Sequence, residues 1–439
     1  MLDIHLIRKQ PDYVKAGLKK KGFAFDTDKF LKTDAGHRQL IKEVEELRHG
    51  KNKVSTEISR LGKDETLLTE AKRLSGLLAE KEKGLAAAAK AVEEILLTLP
   101  NLPQETVPVG KDESQNQALR EVGKKPTFLF QPKDHLELGT ALGILDFEAG
   151  SKVAGADFCY LKNEGILLEL ALVRYALDFL AKKGFALWLT PDLARDRFYL
   201  GTGYLPRGPE AQTYVIENSN LGLIATAEVT LAGIHADEIL PEDSLPKRYA
   251  GYSHCFRQEA GGYGRYSKGL YRLHQFTKVE MFVYIKPEDS PKLHAELLAL
   301  EEALWQGLGI PYRVVEMCTG DLGAQAARKF DLEAWMPGRN DWGEVTSTSN
   351  TTDYQARRLG IKYRKASGET GYVHTLNGTA IATSRAIIAI LENFQKKDGS
   401  VAMPKALQPY LGFSVIPRKR TAKKKSPARG LRRAHNSEA

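Results

Sequence analysis

The sequence predicts a long N-terminal α-helical hairpin followed by an α+β or α/β domain with a mixed sheet. Three observations predict this fold class: apolar residues at alternating spacings of three and four up to residue 99, a proline-containing polar segment, and helical stretches interleaved with β-rich runs. With 439 residues, 42% of them hydrophobic and 27% charged, the chain is long enough for two or more domains with sizeable cores.

The N-terminal third carries two long amphipathic patterns. The first runs from residue 28 to 61, with apolar residues at 40, 44, 47, 54, 58 and 61, and the second runs from 71 to 99. The polar stretch "GKDET" between them favours an antiparallel hairpin, with arms that each reach roughly 45 Å. A coiled coil that dimerises two chains is the alternative use of the same pattern. A hairpin that buries its own seam leaves its outer faces free for another partner.

The second domain begins after the linker "LPNLPQETVPVGKDESQN". Amphipathic stretches at about 166–183 and 290–308 predict helices, and runs such as "KVEMFVYIK" and "YRVVEM" predict strands. We expect domains at 1–105, with the arm at about 28–99, and at 106–416, followed by a tail at 417–439.

Composition excludes several classes of protein. Three widely spaced cysteines without a CxxC pair exclude a disulfide framework and a cysteine-rich zinc site, which indicates a reducing compartment. The longest apolar stretch is interrupted by Glu169, Arg174 and Asp178, so we expect a buried helix and no membrane span. The N-terminus lacks the pattern of a signal or transit peptide, and we expect a cytoplasmic protein.

The net charge of +9 lies almost wholly in the tail. Residues 417–439 hold nine Lys or Arg against one acidic residue, which leaves +1 for the rest of the chain. Two interpretations of the tail stay open, a solvated disordered segment and a segment with salt-sensitive affinity for RNA.

One segment, "CFRQEAGGYGRYSKGLYRLHQF", combines charge with glycine. Arg257 and Glu259 are two residues apart on a predicted strand and should share a face. A basic, glycine-rich loop at 260–270 follows, and Arg272 and Phe276 should share a face of the returning strand, where the ring could stack on a base. An ion pair alone would explain Arg257 and Glu259. A nucleotide triphosphate fits the whole set better, because arginine suits phosphate and glutamate accepts from an amine.

Two further segments could contribute to such a site. "HTLNGTAIATSRAIIAILENF" predicts a strand that turns into an apolar helix, with Arg385 near the positive helix start, where it could hold an anion or pair with an acid. "GEVTSTSN" places Glu344 and Ser347 on a hydroxyl-rich run, and their oxygens are ligands that Mg²⁺ accepts. A strand without any metal is the alternative. No GxxxxGK[ST] loop and no dinucleotide-binding GxGxxG motif occurs.

These segments together resemble a known family. "FRQE" at 256–259 resembles motif 2 of the class II aminoacyl-tRNA synthetases, and "NGTAIATSRAIIAILENFQ" resembles their motif 3. "TAE" at 226–228, "LHQFTKVEMF" at 273–282 and the stretch at 320–350 resemble the seryl-tRNA synthetase family in particular. The resemblance extends through the linker and the N-terminal hairpin, up to about residue 417. It implies an α+β fold, with a coiled-coil arm and a catalytic domain built on an antiparallel sheet flanked by helices.

The resemblance also implies roles for individual residues. Arg257 would hold the α-phosphate of ATP, Glu259 the adenine amino group, and Arg272 and Arg385 the outer phosphates, with Phe276 stacked on the base. Glu344 and Ser347 would coordinate Mg²⁺. The implied ATP site further includes Gln258, Val345 and Thr346. The implied serine pocket comprises Thr226, Glu228, Glu280, Asn377 and Thr379, with Glu280 and Thr379 near the substrate hydroxyl.

The implied activity is ligation of serine to tRNA. The serine carboxylate would attack the α-phosphorus of ATP and release pyrophosphate, and serine would then pass to the 3′ end of tRNA(Ser); charging of tRNA(Sec) stays open. The arm would contact RNA through outward cations such as Lys42, Arg48, Lys53 and Arg60.

The family implies a homodimer, with motif 1 at the interface and ending near Pro191. A non-catalytic RNA-binding relative and a ligase that charges a carrier protein are the rival hypotheses.

Overall fold

The computed structural model describes residues 1–62, 64–204, 213–259 and 269–419. The tip of the predicted basic loop, residues 260–268, and tail residues 420–439 lie outside the described residues. The helices are α1 Ile4–Lys9, α2 Pro11–Lys20, α3 Thr27–Leu61, α4 Glu65–Thr98, α5 His135–Leu142, α6 Phe147–Ala154, α7 Glu164–Ala181, α8 Asp196–Thr202, α9 Glu228–Gly233, α10 Ser290–Leu308, α11 Tyr354–Leu359, α12 Thr383–Asn393 and α13 Gln408–Leu411.

The strands fall into one large sheet and several small ones. They are β1 Gln117–Val122, β2 Leu145–Asp146, β3 Tyr160–Leu161, β4 Ala186–Leu189, β5 Leu193–Arg195, β6 Tyr214–Val215, β7 Leu221–Leu223, β8 Ile239–Pro241, β9 Lys247–Phe256, β10 Gln275–Ile285, β11 Tyr312–Glu316, β12 Arg328–Met336, β13 Asp341–Thr352, β14 Lys362–Arg364, β15 Thr370–Tyr372, β16 His374–Ala382, β17 Val401–Ala402 and β18 Val415–Ile416.

Helices α3 and α4, of 35 and 34 residues, form the predicted antiparallel hairpin. Val44, Leu74 and Leu78 are buried along the seam. Asp26 and Asp64 cap the two helix starts by accepting from backbone N–H groups. Ion pairs cross between the helices: the Lys81 ammonium lies 2.7 Å from Glu43, and Arg48 lies 2.6 Å from Glu82. Lys81 and Arg48 are therefore cross-helix partners within the hairpin.

The base of the hairpin belongs to a small core of its own. Phe30, Val92 and Leu96 pack with Ile7 and Leu18 of the first two helices. Arg8 also donates two hydrogen bonds to the buried carboxylate of Asp34, at 2.8 and 2.6 Å. The Arg8 hydrogen bonds outweigh burial and hold the pKa of Asp34 below its usual value. The base of the arm therefore shares one core with helices α1 and α2.

The second domain is built on an eight-stranded sheet in the order β1-β11-β12-β13-β16-β10-β9-β4. Every neighbouring pair is antiparallel except β4 and β9, which makes the sheet antiparallel in the main. This confirms the α+β alternative, because helices α7, α10 and α12 gather on one face and do not alternate regularly with parallel strands.

Strand β10 shows how the two faces of the sheet differ. Val279, Met281 and Val283 are fully buried in the main core with the helices. The alternate side chains Phe276, Lys278 and Glu280 face a cavity on the other side. Among the described residues, no helix is both long enough and apolar enough to cross a membrane.

Candidate active site

A cavity of about 410 Å³ opens on the face of the sheet away from the helices. The central strands β10, β13 and β16, the start of α12 and the segment before β12 contribute its walls. Twelve of the predicted site residues line it: Glu228, Arg257, Glu259, Phe276, Glu280, Glu344, Val345, Thr346, Ser347, Asn377, Thr379 and Arg385. The other three, Thr226, Gln258 and Arg272, do not line it but make the contacts described below.

The motif around Arg257 differs in detail from the expectation. Strand β9 ends at Phe256, so Arg257 and Glu259 follow the strand, and Glu259 has a left-handed backbone with φ of 48°. Arg272 likewise precedes β10 and does not share a strand face with Phe276. The prediction that these pairs lie on strands was therefore wrong. Strand β9 ends before Arg257 and strand β10 begins after Arg272, so Arg257, Glu259 and Arg272 lie in the connection between the two strands.

The side chains of this motif nevertheless gather at the cavity. The carboxylate of Glu259 accepts from Arg272 at 2.9 Å, and the Arg257 guanidinium lies 5.3 Å from the centre of the Phe276 ring. Gln258 donates to the backbone carbonyl of Thr213 at 3.0 Å and so ties the motif to the segment just before β6. The ion pair that forms is Glu259 with Arg272, which leaves the Arg257 guanidinium beside an aromatic ring.

A bulge in β13 brings Glu344 and Ser347 to one side. Residues three apart on a regular strand face opposite ways, but the pairing with β12 shifts between Leu332 and Glu333, opposite Val345. As a result both side chains reach the cavity. The sequence does not reveal this bulge, yet the prediction that Glu344 and Ser347 act at one site depends on it.

Arg385 and Glu344 form the charged end of the cavity. The guanidinium lies 3.0 Å from the Glu344 carboxylate and donates to its backbone carbonyl at 3.0 Å. Burial raises the pKa of a carboxyl group, but Arg385 and then Lys329 outweigh it and hold the pKa of Glu344 below its usual value. Tyr271 stacks against Arg385, 4.7 Å from ring centre to guanidinium. Glu344 is therefore ionised at neutral pH.

The opposite end is a network of buried acids and hydrogen-bond donors. The carboxylate of Glu228 accepts from Gln355 at 2.7 Å, from Asn377 at 2.9 Å and from Tyr204 at 3.0 Å. Burial raises the pKa of Glu228 to about 7, and the nearby charge of Glu280 adds to the shift. Glu228 therefore titrates near neutral pH.

Glu280 lies beside this network and is 2% exposed. Its carboxylate accepts from the Thr226 hydroxyl at 3.0 Å and pairs with the ammonium of Lys278. Thr379 is its partner in the pairing of β10 with β16. The five residues expected to hold serine thus converge, four on the cavity surface and Thr226 directly behind Glu280.

Several cavity residues were missed by the sequence reasoning. Lys278 could have been found, because it stands midway between Phe276 and Glu280 in a strand with a period of two. Lys329 on β12 also lines the cavity, and its ammonium lies 3.5 Å from the buried carboxylate of Asp331, whose pKa is raised by burial. Tyr204, Tyr271 and Gln325, together with Gln355 behind Glu228, come from turns and helices whose position no local pattern reveals.

The site offers a magnesium ion only a few oxygen donors. Glu344 and Ser347 offer a carboxylate and a hydroxyl, and one carboxylate oxygen of Asp331, paired across the strands with Ser347, has no hydrogen-bond partner within the described part of the chain. Among the described residues no group of three His, Cys, Asp or Glu forms a metal cluster. Such a sparse set fits Mg²⁺, which keeps waters and phosphate oxygens in its shell.

Comparison with known proteins covers almost the whole chain. The family model described as the seryl-tRNA synthetase N-terminal domain matches residues 1–103, and the model for the class II tRNA synthetase core domain (G, H, P, S and T) matches residues 213–394. A serine–tRNA ligase of Rubrobacter xylanophilus is 54% identical over 419 residues, 95% of this chain and 99% of that protein. That of Dictyoglomus turgidum is 53% identical over 421 residues, again 95% and 99% of the two chains.

The solved structures agree with the sequence matches. The crystal structure of seryl-tRNA synthetase from Pyrococcus horikoshii complexed with ATP has a TM-score of 0.89 and 44% identity, and it covers 96% of this chain and 100% of that one. Together with the arm and the antiparallel sheet, these matches show that the chain belongs to the seryl-tRNA synthetase family.

Proposed function

We propose that this protein is a serine–tRNA ligase, which activates L-serine with ATP and transfers it to tRNA(Ser). One observation carries the proposal most strongly: a single cavity joins an arginine-rich end, suited to phosphates, to a buried acid network, suited to an amino acid. The serine–tRNA ligases among its relatives support it, as does the ATP complex of the Pyrococcus protein.

ATP would occupy the end formed by motifs 2 and 3. Arg257 is placed to hold the α-phosphate, with Phe276 beside it to stack on adenine and Glu259 to accept from the adenine amino group. Arg385 would exchange its contact with Glu344 for the outer phosphates, and Arg272 would do the same from Glu259. Arginine forks bind phosphate in this way because their donors are planar and always charged.

Serine would occupy the acid network. Glu228 in its ionised form would attract the substrate ammonium, with Thr226 and Asn377 fixing the acidic side chains. Glu280 and Thr379 would pair with the substrate hydroxyl. Alanine lacks that hydroxyl and would leave buried polar groups unpaired, so such a pocket rejects it strongly. Threonine must be excluded by the size of the pocket.

The reaction needs positioning and charge stabilisation more than a covalent nucleophile. An oxygen of the serine carboxylate attacks the α-phosphorus, the bond to the bridging oxygen breaks, and pyrophosphate leaves; the terminal ribose hydroxyl of tRNA then attacks the activated carbonyl and releases AMP. Arg257 and Arg385 stabilise the charge on the phosphates. Glu344 and Ser347 would hold a Mg²⁺ ion, which when bound neutralises phosphate charge.

The arm would bind the tRNA. Lys53 and Arg60 are exposed on α3, and Lys42 is exposed beside Glu46, so these cations can meet RNA backbone. Arg48 is less free, because it bridges to Glu82.

We place the domain boundaries at 1–105, 106–416 and 417–439, and the protein in the cytoplasm, where its three unpaired cysteines would stay reduced.

A homodimer is part of the proposal. Leu187, Trp188 and Leu189 of the edge strand β4, just before Pro191, are each at least 40% exposed. Helix α7 adds a second apolar patch, formed by three side chains that expose 45 to 55% of their surface: Ile166, Leu167 and Leu170. Exposed apolar surface of this kind is typical of an interface.

Serine-dependent exchange of pyrophosphate into ATP tests the function. We expect exchange with L-serine and far less with alanine or threonine. Purified protein that is folded and dimeric but shows no serine-dependent exchange would contradict the proposal and favour a non-catalytic RNA-binding relative. Exchange without aminoacylation of tRNA(Ser), but with transfer to a carrier protein, would favour the carrier-protein ligase.

A further inference from the structure

The segment 323–327, between Thr319 and β12, is held by the N-terminal part of the chain. The backbone carbonyls of all five residues accept hydrogen bonds from three residues of that part. The donors are Lys21 Nζ to Gly323 at 2.8 Å and to Ala326 at 2.7 Å, Asn101 N to Ala324 at 2.7 Å, Asn101 Nδ2 to Gln325 at 2.9 Å, and Gln104 N to Ala327 at 2.9 Å.

This segment and the two residues before it form a wall of the cavity. Asp321, Leu322, Gly323 and Gln325 line it. The Cβ of Gln325 lies only 3.2 Å from where a Cβ on Gly203 would stand, and Tyr204, which donates to Glu228, comes next in the chain. We call residues 321–327 the pocket wall. It adjoins the end of the cavity proposed to bind serine.

The donors lie at the base of the arm. Asn101 is 4% exposed, and its side-chain amide also donates to the Thr351 carbonyl at 2.8 Å. It stands three residues after the end of α4, and Arg358 donates to the Leu97 carbonyl in the last turn of that helix at 2.9 Å. Asn101 therefore joins the end of α4 to the segment 323–327 over a distance of only three residues.

We propose that Lys21 and Asn101 are positioning residues that hold the pocket wall in place. The position of the N-terminal domain, which bears the arm, then determines the affinity of the cavity for serine. This inference rests on the proposed function. Its physical basis is the free energy lost when several carbonyls of one short segment have no hydrogen-bond donor. Because the donors belong to the N-terminal domain, the position of that domain fixes the position of the wall.

A variant of Lys21 tests the proposal in the full-length protein. Lys21→Met keeps the apolar stem but removes the donors to Gly323 and Ala326. In pyrophosphate exchange without tRNA we expect the KM for serine to rise about tenfold, in the range of known couplings between sites, and the KM for ATP to stay unchanged. Lys21→Arg should restore most of the affinity, because it keeps N–H donors at the end of a long side chain.

Lys20→Met is the matched control, since Lys20 is the exposed neighbour at the end of α2. The inference is overturned if Lys21→Met behaves like Lys20→Met, or if the KM values for serine and ATP rise together. A wild-type protein without serine-dependent exchange would instead overturn the proposed function, so the two failures are distinguishable.

Hydrogen exchange provides a measurement that does not depend on a variant. Coupling between two sites is reciprocal, so L-serine with ATP should slow the exchange of the Asn101 and Gln104 amides, which donate to the pocket wall. The amides of the distal arm, near residues 45–55, serve as the internal control. Equal protection of the Asn101 and Gln104 amides with and without these substrates would contradict the coupling.

Discussion

Glu228, which we propose binds the substrate ammonium, would carry both recognition and pH dependence. Three donors surround its carboxylate, which would favour the ionised form, yet burial outweighs them and raises its pKa to about 7. A substrate ammonium would supply the missing positive charge. The residue is therefore balanced between protonation states until serine arrives.

We expect the KM for serine to rise as the pH falls below about 7. The substrate ammonium requires the ionised carboxylate, so each pH unit below the pKa of Glu228 should raise this KM by about tenfold. Exchange assays between about pH 5.5 and 8.5 measure it. Titration of Asp331, at the ATP end, would instead act on the KM for ATP. A serine KM that stays flat across this range would contradict the assignment of Glu228.

Arg257 is the residue whose removal should cost the most. Its guanidinium is the one proposed for the α-phosphate, where charge develops in the transition state. Arg257→Ala should lower the exchange rate by about 100-fold or more, comparable to the loss of an oxyanion donor. Arg364→Ala is the control, because Arg364 is exposed at the end of β14, outside the cavity. An Arg257→Ala variant with wild-type exchange would remove Arg257 from the mechanism.

At the scale of the elements, the distal part and the base of the arm have different contacts. The arm has a distal part held mainly by its own seam and by pairs such as Glu43 with Lys81. Its base is built into the N-terminal core through Phe30 and Val92. The base also holds the pocket wall through Asn101. Removal of the whole arm would therefore disturb the domain, whereas removal of its distal part should not.

Replacement of residues 43–81 by a short glycine-rich turn should separate the two steps of the reaction. The base and all donors to the pocket wall stay in place, so serine-dependent exchange should remain within a few-fold of wild type. Aminoacylation of tRNA(Ser) should fall by more than about 100-fold, since phosphate contacts supply much of the affinity for RNA. Loss of exchange in this shortened but folded protein would mean that the distal arm is structural.

At the scale of the whole molecule, the two edges of the large sheet differ. Strand β1 closes one edge and β4 the other. Leu189 on β4 is 78% exposed, whereas Leu119 on β1 is 44% exposed. The proposed interface lies on the β4 side.

Leu189→Asp should therefore weaken the homodimer, and Leu119→Asp should not. A buried unpaired carboxylate costs several kcal/mol in an interface, enough to shift the equilibrium to monomer at about micromolar concentration. Sedimentation velocity on both variants measures the effect. Equal dimerisation of the two variants would place the interface elsewhere on the molecule.

The sequence alone predicted the helical hairpin and named most of the residues that line the cavity. Spacings of three and four predicted the hairpin because helical periodicity is local, and the motifs around Arg257, Glu344 and Arg385 were enough to indicate the family. The serine-pocket residues came from the same resemblance: Thr226, Glu228, Glu280, Asn377 and Thr379. Their roles stay predictions, although the structure brings them together.

Only the tertiary structure decided how these residues meet. The bulge at Val345, the pairing of Glu259 with Arg272 and the use of Arg48 within the arm depend on partners on other elements. The same is true of residues 323–327 in the pocket wall, whose five carbonyls accept from donors about 220 to 305 residues away. Local patterns report which face of an element is apolar, but they do not report which other element will satisfy its polar groups.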